Sequence, residues 1–264
     1  MSVRVRAYLL SRRLHSKIIT VMRAAHNGLW LGALGPAGVR ESSTATYERW
    51  VHYLDADYNL SGTRDWEQSC IAAHFPATGR VLIGGVGGGR EAFALAARGY
   101  SVTAFDCTEK LVTAARQLSR TTGTANVEWL VSNPDEVPDV DGTFFAGVIG
   151  WGAYMHIQGR SARQRFLTAF ASHLEPGAPI LISFFVRTGN DRYFEAVRRF
   201  SRVTRPIGRW PVSPELGDDL DGSFDHHFSQ GEFIEEVSEI GFEVATFGAT
   251  PYGHAVVRLR ADAV

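Results

Sequence analysis

Residues 81–106 (VLIGGVGGGREAFALAARGYSVTAFD) constrain the fold of this chain more than any other stretch. An apolar, β-favouring run ends in a glycine-rich loop, a helical pattern follows, and a second short strand ends in Asp106. This order of strand, glycine loop, helix, strand and acid predicts a βαβ unit that binds a nucleotide. Glycine lets the loop turn tightly and lets a ligand approach the backbone, and the start of the helix offers free N–H groups.

The spacing of the glycines bears on which nucleotide binds. If the dinucleotide pattern G-x-G-x-x-G starts at Gly85, it needs a glycine where the chain has Arg90. If it starts at Gly87, the chain has the permitted variant G-x-G-x-x-A, so the motif does not exclude NAD as the ligand. The pattern G-x-G-x-G at Gly85, Gly87 and Gly89 fits better. It resembles motif I of class I S-adenosylmethionine (SAM) methyltransferases, and the resemblance implies that Asp106 binds the ribose.

The order of elements further along the chain extends the resemblance to about residues 80–260. Strands and helices alternate five times, and the order then becomes helix, strand, turn, strand. The stretches LEPGAPILIS (174–183) and GFEV (241–244) resemble the family's entries to its fifth and sixth strands. The resemblance implies a three-layer, Rossmann-like α/β fold with a mostly parallel seven-stranded sheet and a terminal antiparallel hairpin. We predict two domains, an N-terminal helical extension or lid (1–78) and a SAM-binding methyltransferase domain (79–264).

Composition limits the partners of the chain. With 45% apolar and 21% charged residues among 264, the chain has the make-up of a globular protein. Lys and Arg number 27 against 28 for Asp and Glu, and the net charge of −1 argues against a nucleic-acid partner. Cys70 and Cys107, the two cysteines, form neither a disulfide framework nor a metal site, so we predict no metal and a cytoplasmic location.

The N-terminal segment is basic and amphipathic. Seven cations precede the first acid, Glu41, and the apolar residues between them fall roughly on one helical face. Two interpretations follow: the helix rests on an anionic membrane surface or on an acidic partner, or it packs on its own domain with its cations in solvent. We favour packing on the domain. The glycine-rich stretch 27–42 is predicted as a linker, and the stretch 202–221, which carries several prolines and glycines, as a loop.

The resemblance also implies which residues hold SAM. They are the loop glycines, the ribose acid and residues that follow the second, third and fourth strands: Gly85, Gly87, Gly89, Asp106, Cys107, Asn133, Gly150 and Trp151. Cys107 holds the position that packs on adenine in the family, and a buried structural thiol is the alternative. Asn133 stands where many members have an aspartate near adenine N6, and an amide oxygen can accept the same hydrogen bond. A turn residue before proline is the alternative for Asn133.

Ile83 departs from the pattern of the family. Many members carry an acid two residues before the first motif glycine, where it helps to hold the amino group of SAM. Two further interpretations therefore stay open: a repurposed fold that binds SAM or a metabolite without methylating it, and an NAD-linked oxidoreductase. Against the oxidoreductase, the sequence has no Tyr-x-x-x-Lys pair, and residues 1–80 precede the first strand of the motif.

Candidate catalytic residues follow from what methyl transfer requires. A methyltransferase mainly aligns an acceptor with the methyl group and excludes water, and a base assists when the acceptor is a hydroxyl or an ammonium. His156 is the first candidate because it lies just after the fourth strand, where ligands bind in open α/β sheets. His226 is the second, next to His227 and Asp225, an acid that can orient an imidazole.

The substrate class is predicted from the segments that we expect to border the carboxyl ends of the strands. These are the N-terminal segment and the loop 202–221, where Pro206, Trp210 and Pro211 indicate a roomy, partly apolar pocket. The predicted function is SAM-dependent methyl transfer to a small organic molecule, such as a secondary metabolite or a sugar-containing acceptor.

Overall fold

The computed structural model describes residues 1–189, 191–211 and 213–260. Its helices are α1 (Val3–Arg49), α2 (Ala56–Asn59), α3 (Asp65–His74), α4 (Arg90–Ala97), α5 (Glu109–Thr122), α6 (Ala153–His156), α7 (Arg160–Ala171), α8 (Arg192–Gly208) and α9 (Gln230–Ser238), with a 3₁₀ turn at Val51–Leu54. Its strands are β1 (Arg80–Gly84), β2 (Ser101–Asp106), β3 (Val127–Val131), β4 (Ala146–Ile149), β5 (Ile180–Phe184), β6 (Asp218–Asp221), β7 (Ser223–His226), β8 (Phe242–Gly248) and β9 (Gly253–Leu259).

The central sheet has the strand order β3-β2-β1-β4-β5-β9-β8. β1 pairs in parallel with β2 and with β4, and β9 runs antiparallel to both β5 and β8. This confirms the predicted Rossmann-like sheet with a terminal antiparallel hairpin. Because the strand order changes direction between β1 and β4, a ligand crevice is expected at the carboxyl ends of these two strands.

Helices cover both faces of the sheet and produce the predicted three layers. Alternate residues of a strand point to opposite faces. Val81 and Ile83 of β1 lie in a core with α3, α4 and α5, whereas Leu82 lies in a core with α6, α7 and α9. β4 and β5 are buried along their whole length, as parallel strands covered on both faces must be.

The chain divides into two compact units. Residues 44–186 and 226–264 form the sheet unit, and residues 1–43 and 187–225 form a second unit, here named the α1–α8 unit. The residues predicted to bind SAM and to act as bases all belong to the sheet unit. The predicted division at residue 78 into a helical extension and a SAM-binding domain stays a prediction.

Glycines bring two helices of the α1–α8 unit into close contact. A Cβ at Gly28 would overlap the carbonyl oxygen of Val197, and a Cβ at Gly32 would overlap that of Ser201. The prediction of a linker over 27–42 is therefore wrong. These residues lie within α1, which is kinked at Gly35 (φ +67°), and Gly28 and Gly32 let the backbone of α8 approach closely.

The stretch 202–221, predicted as a loop, is also partly regular. α8 continues to Gly208, and the last residues of the stretch form β6, which pairs with β7. The side chain of Asp219 in β6 accepts hydrogen bonds from Asn27 and from the Tyr193 hydroxyl, both at 2.9 Å. This strand carries mostly acidic residues, so it has no β-favouring signal, and its partners in the α1–α8 unit stabilise it.

The beginning of α1 is exposed. Residues 1–23 are all exposed, and burial starts at Ala24, which is 1% exposed. The prediction that the basic helix packs on its own domain is therefore wrong for residues 1–22, whereas Arg23 pairs with Asp221. Its cations lie on several sides of the helix, and burying them unpaired would cost their desolvation. Among the described residues, no helix is long and apolar enough to cross a membrane.

Candidate active site

The carboxyl ends of β1, β2 and β4 meet at one edge of the sheet. The N–H of Gly150, after β4, donates to the carbonyl of Gly84 at the end of β1 (2.8 Å). The N–H of Val86, in the glycine loop, donates to the carbonyl of Phe105 near the end of β2 (3.1 Å). These bonds hold together the glycine loop, the predicted ribose acid and the segment that leads into α6.

The three motif glycines have different neighbours. Gly85, Gly87 and Gly89 have φ of +67°, +55° and +105°, a region that favours glycine. A Cβ at Gly85 would overlap the side chain of Ala153, and one at Gly89 would lie 2.6 Å from the ring of Trp129. A Cβ at Gly87 would meet nothing within 4 Å. Packing therefore requires glycine at the first and third positions, whereas the second leaves space through which a ligand can reach the backbone.

Replacing Gly87 by alanine is expected to weaken SAM binding by about tenfold or more, because the new methyl group enters that space. The left-handed backbone should also cost about 1–2 kcal/mol of stability. Gly123→Ala is a matched control, since Gly123 has φ +71° and open space but lies at the end of α5. Calorimetric titration and urea unfolding measure the two effects. Equal SAM affinity in the two variants would contradict the prediction.

Asp106 is a buried acid at the end of β2. It is 9% exposed, and its carboxylate accepts hydrogen bonds from the backbone N–H groups of Gly87 and Thr108, both at 2.8 Å. Burial raises the pKa of Asp106, while the two backbone N–H groups and the charge of His156 act in the opposite direction. Each carboxylate oxygen has a further lone pair that can accept from a ribose hydroxyl. The geometry fits the role predicted for Asp106.

The raised pKa of Asp106 predicts a pH dependence of stability. When a carboxyl has a higher pKa in the folded chain than in the unfolded chain, the folded state binds more protons, so stability falls as pH rises through these values. The free energy of unfolding of the wild type, relative to Asp106→Asn, should therefore decrease as pH rises above about 4, the ordinary pKa of an aspartate. Urea unfolding of both proteins at several pH values measures this difference. A difference that stays constant or increases with pH would contradict the prediction.

The first predicted base, His156, lies at the end of α6, the helix that follows β4. The chain turns at Gly152 (φ +75°), whose N–H donates to Ser183 Oγ on β5 (3.0 Å), and the short helix α6 then ends at His156. The ring of His156 is half-buried, and its Nε2 is hydrogen-bonded to the hydroxyl of Tyr47. Ala153 of α6 lies against Gly85, and Gly87 of the same loop donates to Asp106, so the glycine loop joins the helix that carries His156 to the buried acid.

A buried ion pair anchors α6. The hydroxyl of Tyr154 donates to Glu236 Oε1 (2.8 Å), and Arg163 donates to both carboxylate oxygens of Glu236 (2.9 and 2.7 Å). All three side chains are fully buried. Burial, together with the charge of Glu236, raises the pKa of Tyr154 well above its usual value. The network joins α6, α7 and α9, so it fixes the helix that carries His156.

An aromatic segment lies against the glycine loop. Its neighbouring rings have centroids 4.0–6.1 Å apart, and they belong to Tyr47, Trp50, His52, Tyr53 and Tyr58. We name residues 47–58 the aromatic strap. Gly88 lies so close to the carbonyl oxygen of Tyr53 that a Cβ there would overlap it. The same carbonyl accepts a hydrogen bond from Asn59 Nδ2 (2.9 Å). The strap and the glycine loop are therefore in direct contact, and Tyr47 joins the strap to His156.

Trp151 packs against a buried charge cluster next to the loop. Its ring lies 4.3 Å from that of Tyr252 and 5.4 Å from the guanidinium carbon of Arg90. Arg90 donates to Glu67 (2.6 and 2.8 Å) and to Glu91 (2.7 Å). Burial raises the pKa of Glu91, and Arg90 opposes this shift. Arg90 thus fastens the first turn of α4 to α3, and the contact of Trp151 with SAM stays a prediction.

The second predicted base is badly placed for contact with a substrate. His226 is fully buried, and its Nε2 lies 3.3 Å from Glu232 Oε1. The next residue, His227, is half-buried, and its ring lies 5.0 Å from that of Phe185 at the carboxyl end of β5. Since neighbouring residues of an extended chain point to opposite sides, His227 is the better placed of the two.

Cys107 and Asn133 follow β2 and β3 at the same edge of the sheet. Cys107 is exposed, which excludes the alternative of a buried structural thiol. Asn133 is exposed as well, and its amide nitrogen donates to Glu136 (2.8 Å), so a ligand can be met by the amide oxygen. The contacts of both residues with adenine stay predictions.

The contacts that hold the site together were not predicted from the sequence. Tyr47 and His156 are 109 residues apart, and no local pattern joins them. The sequence does carry a signal for the buried ion pair. Arg163 stands three residues before the core residue Phe166, and Glu236 stands three residues after the core residue Phe233, so each lies on the buried side of its helix. Charged residues on a core-facing side are rarely buried unless they are paired.

Comparisons with known proteins agree with this geometry. A family model described as a methyltransferase domain matches residues 81–177, from β1 to the turn before β5. Among curated proteins, none matches the sequence significantly.

Solved structures share the fold at low sequence identity. A SAM-dependent methyltransferase from Methanosarcina mazei has a TM-score of 0.56 and 20% identity, over 74% of this chain and 97% of its own. The CcbJ methyltransferase of Streptomyces caelestis has a TM-score of 0.55 and 15% identity, over 72% and 92%. SAM-bound CalS10 of Micromonospora echinaspora, an amino pentose methyltransferase involved in calicheamicin biosynthesis, has a TM-score of 0.53 and 16% identity, over 78% and 95%.

The sheet order, the glycine loop with its buried acid, and the family match all describe the same domain. The likeness to solved structures shows the fold, and the family model covers the part of the chain that carries the motif. Residues 81–177 therefore match a methyltransferase domain, and the chain has the fold of solved SAM-dependent methyltransferases.

Proposed function

We propose that this chain transfers the methyl group of SAM to a small organic molecule. The proposal is carried by the meeting of Gly87, Asp106 and His156 at the carboxyl ends of β1, β2 and β4. The accessible backbone at Gly87 and the buried carboxylate of Asp106 are features that any nucleotide-binding site could have. The half-buried imidazole beside them adds a group that can take up a proton during a reaction.

The residues of the site fit SAM. The space at Gly87 gives a ligand access to the loop backbone, and Asp106 has lone pairs for the ribose hydroxyls. Ile83, where many members carry an acid, is fully buried in the core, so the amino group of SAM must be held by backbone or by other side chains. SAM itself supplies an electrophilic methyl group. The contribution of the protein is to orient the acceptor and to exclude water.

His156 and Tyr47 form the proton path of the proposed reaction. Nε2 of His156 is already bonded to the Tyr47 hydroxyl, so an acceptor reaches the imidazole through that hydroxyl. The acceptor gives its proton to the oxygen of Tyr47, and the hydroxyl proton of Tyr47 passes to Nε2. The positive charge then rests on the imidazole.

The aromatic strap supports a ring-bearing acceptor of small size. Tyrosine and tryptophan rings offer flat apolar faces with a polar group at the edge, a combination suited to sugars and aromatic metabolites. One neighbour in fold, CalS10, is an amino pentose methyltransferase. We therefore place the acceptor among sugar-containing molecules and secondary metabolites.

The decisive experiment begins with calorimetric titration of the protein with SAM and with NAD. We expect SAM to bind and NAD to give no heat of binding. Incubation with SAM and a panel of amino sugars and phenols should then release S-adenosylhomocysteine with at least one acceptor. Binding of NAD in place of SAM would overturn the proposal in favour of an oxidoreductase. Binding of SAM without turnover of any acceptor would favour a repurposed fold.

A further inference from the structure

The exposed start of α1 carries an apolar stripe that the proposed function does not use. We name residues 3–22 the N-terminal arm. The stripe follows steps of three and four residues, which place its members on one side of a helix: Val3, Ala7, Leu10, Leu14, Ile18 and Val21. Val3 is 81% exposed, Leu10 69% and Leu14 59%. A continuous apolar stripe left in water marks an interaction surface.

Cations border this stripe on both sides. At 100° per residue, Arg4 lies along one border and Arg6, Arg13 and Lys17 lie along the other. The first acid of the chain is Glu41, so the arm contains none. Within the part of the chain that the structure describes, the cations of the arm form no ion pair. One side of the arm is thus an apolar stripe bordered by cations, and further exposed apolar residues, Leu9 and Ile19 among them, lie outside the stripe.

We propose that the N-terminal arm lies in the surface of a membrane that contains anionic phospholipids. The stripe would enter the boundary between headgroups and acyl chains, and the long side chains at its borders would extend outward to the phosphates. Charge complementarity selects this occupant. Pairing with a second copy of the chain would place two acid-free, positively charged arms side by side, where like charges repel.

Vesicle sedimentation of the full chain tests the proposal. Vesicles of phosphatidylcholine and phosphatidylglycerol in equal parts should bind the protein, and vesicles of phosphatidylcholine alone should bind it at least about tenfold more weakly. Binding to the anionic vesicles should weaken as salt rises from about 0.05 M to 0.5 M, because salt screens the attraction. Equal binding to both kinds of vesicle, or binding to neither, would overturn the proposal.

Matched variants separate the arm from general charge. Arg6→Gln with Arg13→Gln should lower the partition coefficient by about tenfold or more. Arg120→Gln with Arg165→Gln removes the same charge from exposed positions on α5 and α7, and it should leave the coefficient within about twofold. An equal loss in the two double variants would show that net charge alone drives binding, and the arm would then have no special role.

A second pair of variants tests the apolar stripe. Leu10→Gln should weaken vesicle binding severalfold, whereas Val203→Gln should not, although Val203 on α8 is 70% exposed, as much as Leu10. These residues are exposed, so the variants should fold, and circular dichroism checks this. Sedimentation equilibrium tests whether the arm instead binds a second copy of the chain. A dimer that Leu10→Gln dissociates, in a protein that binds no vesicles, would assign the arm to a second copy and overturn the membrane proposal.

Discussion

Replacing His156 by alanine is expected to lower kcat by about 10²–10⁴-fold, the range for loss of a positioned base, with SAM affinity little changed. Tyr47→Phe should lose a similar factor, because it interrupts the path between the acceptor and Nε2 while both rings stay in place. Steady-state kinetics with the acceptor found by the panel measures kcat, and calorimetry measures SAM affinity.

His173 provides the matched control. It is a half-buried histidine between α7 and β5, at the amino edge of the sheet, and His173→Ala should leave kcat unchanged. The pH profile adds a readout that a structural role would not change, since loss of the base removes the low-pH limb of kcat. If His156→Ala keeps kcat within about threefold, alignment alone drives the reaction and His156 is not a base.

Glu236→Gln is expected to lower the free energy of unfolding by about 3–5 kcal/mol, the largest stability effect predicted here. The amide keeps the shape of the side chain but removes its charge, and it leaves the fully buried guanidinium of Arg163 without an anion. The hydroxyl of Tyr154 would lose its charged acceptor at the same time. Urea unfolding with a cooperative, two-state transition measures the loss.

An exposed pair on the same two helices is the control. Arg160 and Glu239 also join α7 to α9 at 2.9 Å, but their side chains are 31% and 51% exposed. Glu239→Gln should therefore cost less than about 1 kcal/mol. Replacing both buried partners by apolar residues, Arg163→Met with Glu236→Leu, should recover most of the lost stability. A loss of similar size for Glu236→Gln and Glu239→Gln would show that burial does not govern this network.

The core of the fold was predictable because its signals are local. The run from β1 through the glycine loop to Asp106 combines strand-forming residues, turn residues and a helical pattern within 26 residues, and the structure places each where the pattern indicates. The pattern Ser229-x-x-Glu232 is the sequence signal of a capping box, and these two residues form one at the start of α9. Each of these features depends on neighbours in sequence, so no knowledge of the tertiary fold was needed.

Composition misled where tertiary contacts override it. The stretch 27–42 has a low helix propensity, yet it is helical on both sides of a kink at Gly35, and α8 packs against Gly28 and Gly32. The spacing of those two glycines, one helical turn apart, was a signal for helix packing that the linker interpretation ignored. His226 and His227 illustrate a different difficulty. A shift of one residue in the register of a strand exchanges which of two neighbouring side chains is buried, and the sequence around β7 does not define that register.

The close packing of α1 and α8 has a consequence for how the chain folds during synthesis. The indole N–H of Trp210, after α8, donates to the carbonyl of Leu31 in α1 (2.9 Å) across 179 positions of sequence. At about 5–20 residues per second, the ribosome needs on the order of ten seconds or more to deliver this partner. During that interval the apolar side of α1 has no native contact within its own unit, so the α1–α8 unit closes only after most of the sheet has been made.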